Sequence, residues 1–224
     1  MTADIIHIRS YGIQDYLYCW NNMQVFTQKR TTETLDEIWL LEHYPVYTQG
    51  QNGKPEHILQ SSHIPIIQTD RGGQVTYHGP GQLMCYTLID LKRKKITIRE
   101  FVTMLEQSVI TLLAGYSINA YAKREAPGIY IKTNMVQTVD PVEKKIASLG
   151  LRVKRGCTYH GLALNINMDL MPFTQINPCG CRALQMTQLN EFVPCQDLLT
   201  IGKKLVIHLM KHLGYLQVYY ASSL

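Results

Sequence analysis

"KKIASLGLRVKRGCTYHGLALNINMDL", from Lys144 to Leu170, contains two alternating runs with only "VKRGCTYHG" between them. In the first, Ala147, Leu149, Leu151 and Val153 share one parity and Ser148, Gly150, Arg152 and Lys154 the other. In the second, Leu162, Leu164, Ile166 and Met168 share a face, while Gly161, Ala163, Asn165, Asn167 and Asp169 lie opposite. A period of two marks a strand with one buried face, and two such runs joined this closely predict an antiparallel pair. The same parity puts Lys145, and not Lys144, on the face of Ala147 and Leu149. A lysine at the mouth of an apolar face is partly desolvated, which lowers its pKa toward a range useful for proton exchange. A strand-end lysine that snorkels its amine into water is the competing reading.

Further out, "TIREFVTMLEQSVITLLAGY" predicts a helix, with Thr97 and Glu100 forming a capping box and Gly115 as the C′ residue. Its apolar stripe runs through Ile98, Phe101, Val102, Leu105, Val109, Leu112 and Leu113. A second helix, "IGKKLVIHLMKHLGY", repeats Leu205, Leu209 and Leu213 at every fourth position and ends at Gly214. Near the N-terminus, the apolar run "IIHI" precedes a helical pattern through Ile13, Tyr16, Leu17, Trp20 and Met23. "DEIWLLEH", "PVYTQG", "IPIIQTD", "LMCYTLID" and "APGIYIK" read as strands. Strands and helices do not alternate in strict βαβ order. The fold class is therefore α+β, a mixed or largely antiparallel sheet with covering helices. No linker composition divides residues 1–224, which predicts one catalytic-sized domain, with room for a small C-terminal lobe after about residue 169.

The chain has 224 residues, 46% hydrophobic and 17% charged, with a formal net charge of +5. That is the composition of a globular protein and excludes a disordered or fibrous one. The basic residues are scattered apart from "KRKK" at Lys92–Lys95 and the pair Lys154 and Arg155, a pattern too thin to predict nucleic-acid binding. The first 20 residues lack the apolar core of a secretory signal, and the most apolar stretch is broken by Gly, Ser and Asn. The expected location is cytoplasmic, with no membrane association.

Two segments concentrate chemistry. "RGGQVTYHGPGQ" packs four glycines and a proline into 12 residues yet matches neither a P-loop nor a dinucleotide fingerprint. Its composition fits either a tight structural turn or a loop that lets a ligand lie against the backbone. Within it, His78 suits a hydrogen-bonding support as well as a proton carrier. "INPCGCRALQMTQL" sets Cys179 and Cys181 one residue apart after Pro178. Zinc would need four ligands, and Cys157, His160 and Cys195 are the other candidates, but neither close pair has the usual C-x₂-C spacing. A Cys179–Cys181 disulfide would close a strained ring, and a reducing compartment disfavours it. Cys179 as a nucleophile and simple thiols remain open on the residues alone.

Taken together, "RGGQVTYHGPGQL" (Arg71–Leu83), the opening stretch Lys144–Leu170 and "INPCG" (Ile176–Gly180) resemble the lipoyl(octanoyl) transferase family over most of the chain. Weaker echoes lie in "LLEHYPVYTQG" and "APGIYIK". The resemblance implies a fold similar to the catalytic domain of biotin and lipoate–protein ligases. It implies catalytic roles for Cys179 and Lys145, and an acyl pocket lined by three segments. These are Arg71, Gly72, Gly73, Gln74, Val75, Thr76, Tyr77, His78 and Gly79; Ser148, Leu149 and Gly150; and His160, Gly161, Leu162 and Ala163. The activity it implies is transfer of an octanoyl group from acyl carrier protein, through a cysteine acyl-enzyme, to a lysine of lipoyl domains in lipoate biosynthesis. The implied acceptors are the 2-oxo acid dehydrogenase complexes and the glycine cleavage H protein. Thioester exchange is nearly isoenergetic and amide formation runs downhill, so neither ATP nor another cofactor or metal is expected. Two rivals remain: an ATP-dependent ligase on the same fold, which would need no cysteine, and a non-enzymatic acyl-binding module.

Overall fold

The computed structural model describes residues 4–60, 63–133, 141–182, 184–194 and 196–221; Cys195, one of the candidate zinc ligands, lies outside them. The chain runs β1 (Ile5–Gln14), α1 (Tyr16–Lys29), β2 (Asp36–His43), β3 (Val46–Gln49), β4 (Ile66–Gln68), β5 (Val75–His78) and β6 (Gln82–Leu88). It continues through α2 (Leu91–Lys94), α3 (Ile98–Ala114), β7 (Ala120–Ala122), β8 (Gly128–Thr133), β9 (Val142–Lys154) and β10 (Cys157–Asn165). β11 (Gln185–Met186), α4 (Leu198–Leu213) and β12 (Gln217–Ala221) complete it.

The large sheet has the order β12-β1-β2-β6-β10-β9-β8-β7, with β11 added alongside β9. β1 pairs in parallel with β2 and β12, whereas β2–β6, β6–β10 and β10–β9 are antiparallel, so the sheet is mixed as expected. β9 and β10 form the antiparallel pair read from their alternation, with Gly150 opposite Gly161 and Ser148 opposite Ala163. A small sheet, β4-β3-β5, stands apart from the large one.

Both faces of the large sheet are covered, which is why its central strands read as near-continuous apolar runs. Ile38, Leu40, Leu83, Cys85, Leu162 and Leu164 pack beneath Phe101, Leu105 and Val109 of α3 and Leu205 and Leu209 of α4. The alternate residues Trp39, Leu41, Met84, Tyr86 and Ala163 meet Cys19 and Met23 of α1 on the other side. The small sheet carries its own cluster, in which Tyr47, Val75 and Tyr77 join Phe173 and Ile176. Among the described residues, no helix is long and apolar enough to cross a membrane.

The capping box of α3 is present in full, with the Thr97 side chain accepting from Glu100 N and the Glu100 side chain accepting from Thr97 N. Three local expectations fail. Gly115 keeps a right-handed φ of −62°, and the left-handed residue after α3 is Ser117 at +61°. The inward stripe of α1 is Tyr16, Cys19, Met23 and Thr27, while Ile13 and Leu17 are exposed. β1 already extends to Gln14, so Ile13 belongs to the strand and the helical count starts late.

The third failure concerns Lys145. Along the β8–β9 ladder, Ile129 faces Ala147 and Tyr130 faces Lys145, so Ile146 is an extra residue in β9. Such a bulge shifts the alternation by one position. Lys145 thus shares the face of Tyr130, opposite the face of Ala147 and Leu149 to which simple parity assigned it. It is buried all the same, at 1% exposure.

Candidate active site

Cys179 sits in the middle of a short 3-10 turn, Pro178–Gly180, with left-handed φ of 57°. A non-glycine residue held there is strained and needs surrounding bonds to fix it. Those bonds are present. Asn177 N donates to His57 O at 2.8 Å, Gly180 N to Asn177 O at 2.9 Å and Cys181 N to Pro178 O at 3.1 Å. The turn carries the Cys179 thiol to Lys145, whose Nζ lies 3.0 Å from Cys179 Sγ and donates to Pro127 O at 3.1 Å. The ammonium also stands 5.2 Å from the centre of the Tyr130 ring. Burial drives the Lys145 pKa down, but the charge of Cys179 and the bonds around it win, and the net shift is upward. This reverses the lowering expected from desolvation alone. Cys181 is exposed, and both cysteines are free thiols.

A narrow cavity leads away from Cys179 between β9–β10 and the Arg71–His78 segment. Arg71, Gly73, Gln74, Val75, Thr76 and His78 line it from one side. Ser148, Leu149, Gly150, His160, Gly161, Leu162 and Ala163 line it from the other. Tyr77 and Gly79 stand off it. Tyr77 turns into the small sheet, edge-on to Phe173 at 5.5 Å, and a Cβ on Gly79 would meet the Tyr77 hydroxyl at 2.3 Å. Gly72 lines a broader groove of about 860 Å³, beside Pro127, Tyr130, Leu151 and Leu184. Cys179 borders both spaces. The narrow cavity measures about 50 Å³.

Arg71 and His78 act as braces here. The Arg71 guanidinium is buried and donates to Thr48 O, to Thr48 Oγ1 at 2.8 Å, to Gly72 O at 2.9 Å and to Gln74 O at 2.8 Å. Burial lowers its pKa. His78 is held between Thr48 Oγ1 at 3.2 Å and Gln82 Oε1 at 2.7 Å, and burial pushes its pKa well down. With both ring nitrogens occupied and the ring neutral, it supports the loop and carries no proton to the thiol. His160 adopts φ of 60° and bonds through Nε2 to Asp70 Oδ1 at 2.9 Å. Gly161 serves strand packing, since a Cβ there would meet Cys85 O at 2.0 Å.

Sequence reasoning missed Tyr16, Met84 and Tyr86, which also line the cavity. Met84 and Tyr86 share a parity in "LMCYTL" and so were legible as one face, though not as this face. Tyr16 reaches the cavity only because α1 packs across the sheet.

A narrow slot backed by a mixed sheet thus has a thiol and an amine paired at its mouth. Residues 15–209 match the family described as the lipoyl protein ligase A/B catalytic domain. An octanoyltransferase of Shewanella sp. (strain MR-7) is 52% identical over 224 residues, covering 100% of this chain and 99% of the relative. Among solved structures, the bipartite lipoate protein ligase of Thermoplasma acidophilum, reported with its E2 lipoyl domain, has a TM-score of 0.69 at 13% identity, covering 97% of this chain and 87% of that one. The biotin protein ligase of Aquifex aeolicus in complex with biotin and ATP has a TM-score of 0.55 at 12% identity, covering 93% and 70%. At these identities the solved structures establish the shared fold. The chain belongs to the lipoyl protein ligase A/B catalytic domain family.

Proposed function

We propose that Cys179 carries the octanoyl group as a thioester and that Lys145 moves the proton at each of its two transfers. Octanoyl transfer in lipoate biosynthesis is the activity of the chain, shared with relatives about half identical over its full length. The observation supporting the route through Cys179 is the 3.0 Å approach of Lys145 Nζ to its sulfur at the mouth of the cavity.

The Cys179 thiolate attacks the thioester carbonyl of octanoyl-acyl carrier protein. The carbon–sulfur bond to the carrier breaks, and the departing thiolate takes a proton from the Lys145 ammonium. Lys145 is then neutral, which its burial favours once no thiolate faces it. The amine of a lipoyl-domain lysine attacks the new thioester and gives a proton to Lys145. The amide forms, and the Cys179 thiolate is released beside a restored ammonium. A cysteine and a lysine suffice, and no nucleotide enters the balance. The narrow cavity takes the octanoyl tail, with Arg71, Gly73–Thr76 and His78, Ser148–Gly150 and His160–Ala163 as its walls. The lipoyl domains of 2-oxo acid dehydrogenase complexes and the glycine cleavage H protein are the proposed acceptors, and the cytoplasm the proposed compartment. The segment after residue 169 belongs to the same catalytic unit, because α4 shares the core of α3.

Intact-protein mass spectrometry after mixing with octanoyl-acyl carrier protein, without ATP, tests the reading. The wild type and Cys181→Ser should gain one octanoyl mass, and Cys179→Ser should not. An adduct retained in C179S and lost in C181S would overturn the assignment.

A further inference from the structure

The entrance to β8 holds Lys145 from three sides. Pro127 O accepts its ammonium at 3.1 Å. Gly128, at φ of +147°, lies so close to the stem that a Cβ would stand 2.4 Å from Lys145 Cε and 2.7 Å from Nζ. The Tyr130 hydroxyl donates to Ala126 O at 2.8 Å, keeping its ring beside the amine. What anchors this corner is a carboxylate from the opposite layer. Glu106 of α3 is 8% exposed and accepts from Gly128 N at 3.1 Å. A buried carboxylate among the buried residues of α3, which are otherwise apolar except for Ser108, is costly, and apolar packing would serve the core better.

We propose that Glu106 is a positioning residue for acyl transfer. It pins the Pro127–Gly128 corner to α3 and thereby sets where Lys145 Nζ stands relative to Cys179. This rests on the reading of Cys179 and Lys145 as the reacting pair. The ionisable groups around Lys145 are Cys179 from its turn, Tyr130 from β8 and Glu106 from α3; Lys123 lies 4.7 Å from the centre of the same Tyr130 ring. Arg71 also interacts electrostatically with Cys179. Burial raises the Glu106 pKa, while the Gly128 N–H and Lys145 draw it back down.

Glu106→Ala removes both charge and clamp, and Glu106→Gln removes the charge but keeps an oxygen for Gly128 N. Both are made in the Cys181→Ser chain, and iodoacetamide labelling is read by mass spectrometry on the peptide that carries Cys179. E106A should lose kcat by on the order of tenfold, with the donor KM within about twofold, because a displaced amine misaligns the proton transfer. E106Q should recover most of the rate. The pH midpoint of Cys179 alkylation should lie higher in E106A than in E106Q, since both lack the charge and only E106A lets the lysine drift. The proposal is overturned if E106A turns over like the parent, if E106Q loses as much as E106A, or if the two midpoints coincide while kcat falls in step with the folded fraction. An octanoyl adduct on C179S would overturn the underlying pair instead, whatever Glu106 does.

Discussion

Lys145 is a lysine whose charge is decided by its neighbour. With Cys179 as a thiolate 3.0 Å away, the ammonium is favoured despite burial. In the proposed cycle, acylating the sulfur removes that attraction and leaves burial opposed by Tyr130 alone, so the same group passes from proton donor to proton acceptor. Lys145→Arg should therefore keep a cation beside the thiolate and lose the cycle, because a guanidinium holds its proton throughout the accessible pH range. Steady-state octanoyl transfer in K145R should fall by on the order of 10²–10⁴. Near-normal turnover would reduce Lys145 to a static counter-charge. The choice between Lys144 and Lys145 was legible from the family motif. Parity pointed to Lys145 for a reason the Ile146 bulge removes.

At the scale of elements, β10 forms one wall of the slot, and under the proposed function that wall limits what the slot admits. Ala163 is buried, faces the slot and sits opposite Ser148 of β9. Each methylene withdrawn from water contributes about 0.8 kcal/mol, so a hexanoyl donor should bind less productively than octanoyl by about 1.6 kcal/mol, or on the order of tenfold. Ala163→Val narrows the slot and should cost octanoyl transfer more than butanoyl transfer. Transfer rates for four-, six-, eight- and twelve-carbon donors in both proteins measure this. A flat length profile in the wild type would place chain-length selection outside the slot. Gly79→Val is a different perturbation. Its new side chain meets Tyr77, so it should lower stability through the small sheet without altering the length profile.

The whole molecule stores a pH dependence in its buried histidines. Burial lowers the His43 pKa from 6.5 to about 4, and also lowers those of His78 and His160. The unfolded chain binds protons at these sites at a higher pH than the folded chain does. Their contribution to folding stability is therefore fully present above about 6.5 and is lost as pH falls toward about 4, the value to which burial takes His43. The slope should reach about 1.4 kcal/mol per pH unit for each histidine that is neutral when folded and protonated when unfolded. Urea midpoints between pH 7 and 4.5 read that slope. His43→Gln should flatten it, and an unchanged slope would show that His43 is not held neutral.

Alternation in Lys144–Leu170, the capping box of α3 and the four-residue repeat of α4 were set by the chain itself, because each depends on neighbours a few positions away. So were β2, β6, β8, β9 and β10 of the large sheet and the pairing of β9 with β10, whereas β7, β11 and β12 were not read from the sequence. The motifs also named Cys179, Lys145 and most of the residues that the fold brings around the slot. The tertiary structure decided everything that depends on which layer faces which. It brought Tyr16 from α1 and Tyr86 from β6 into the cavity, turned Tyr77 away, and set Glu106 behind Gly128. It also decided the face of Lys145, since an extra residue in β9 is defined only against the register of β8. Local period records which residues share an element's face; long-range packing alone determines what that face meets.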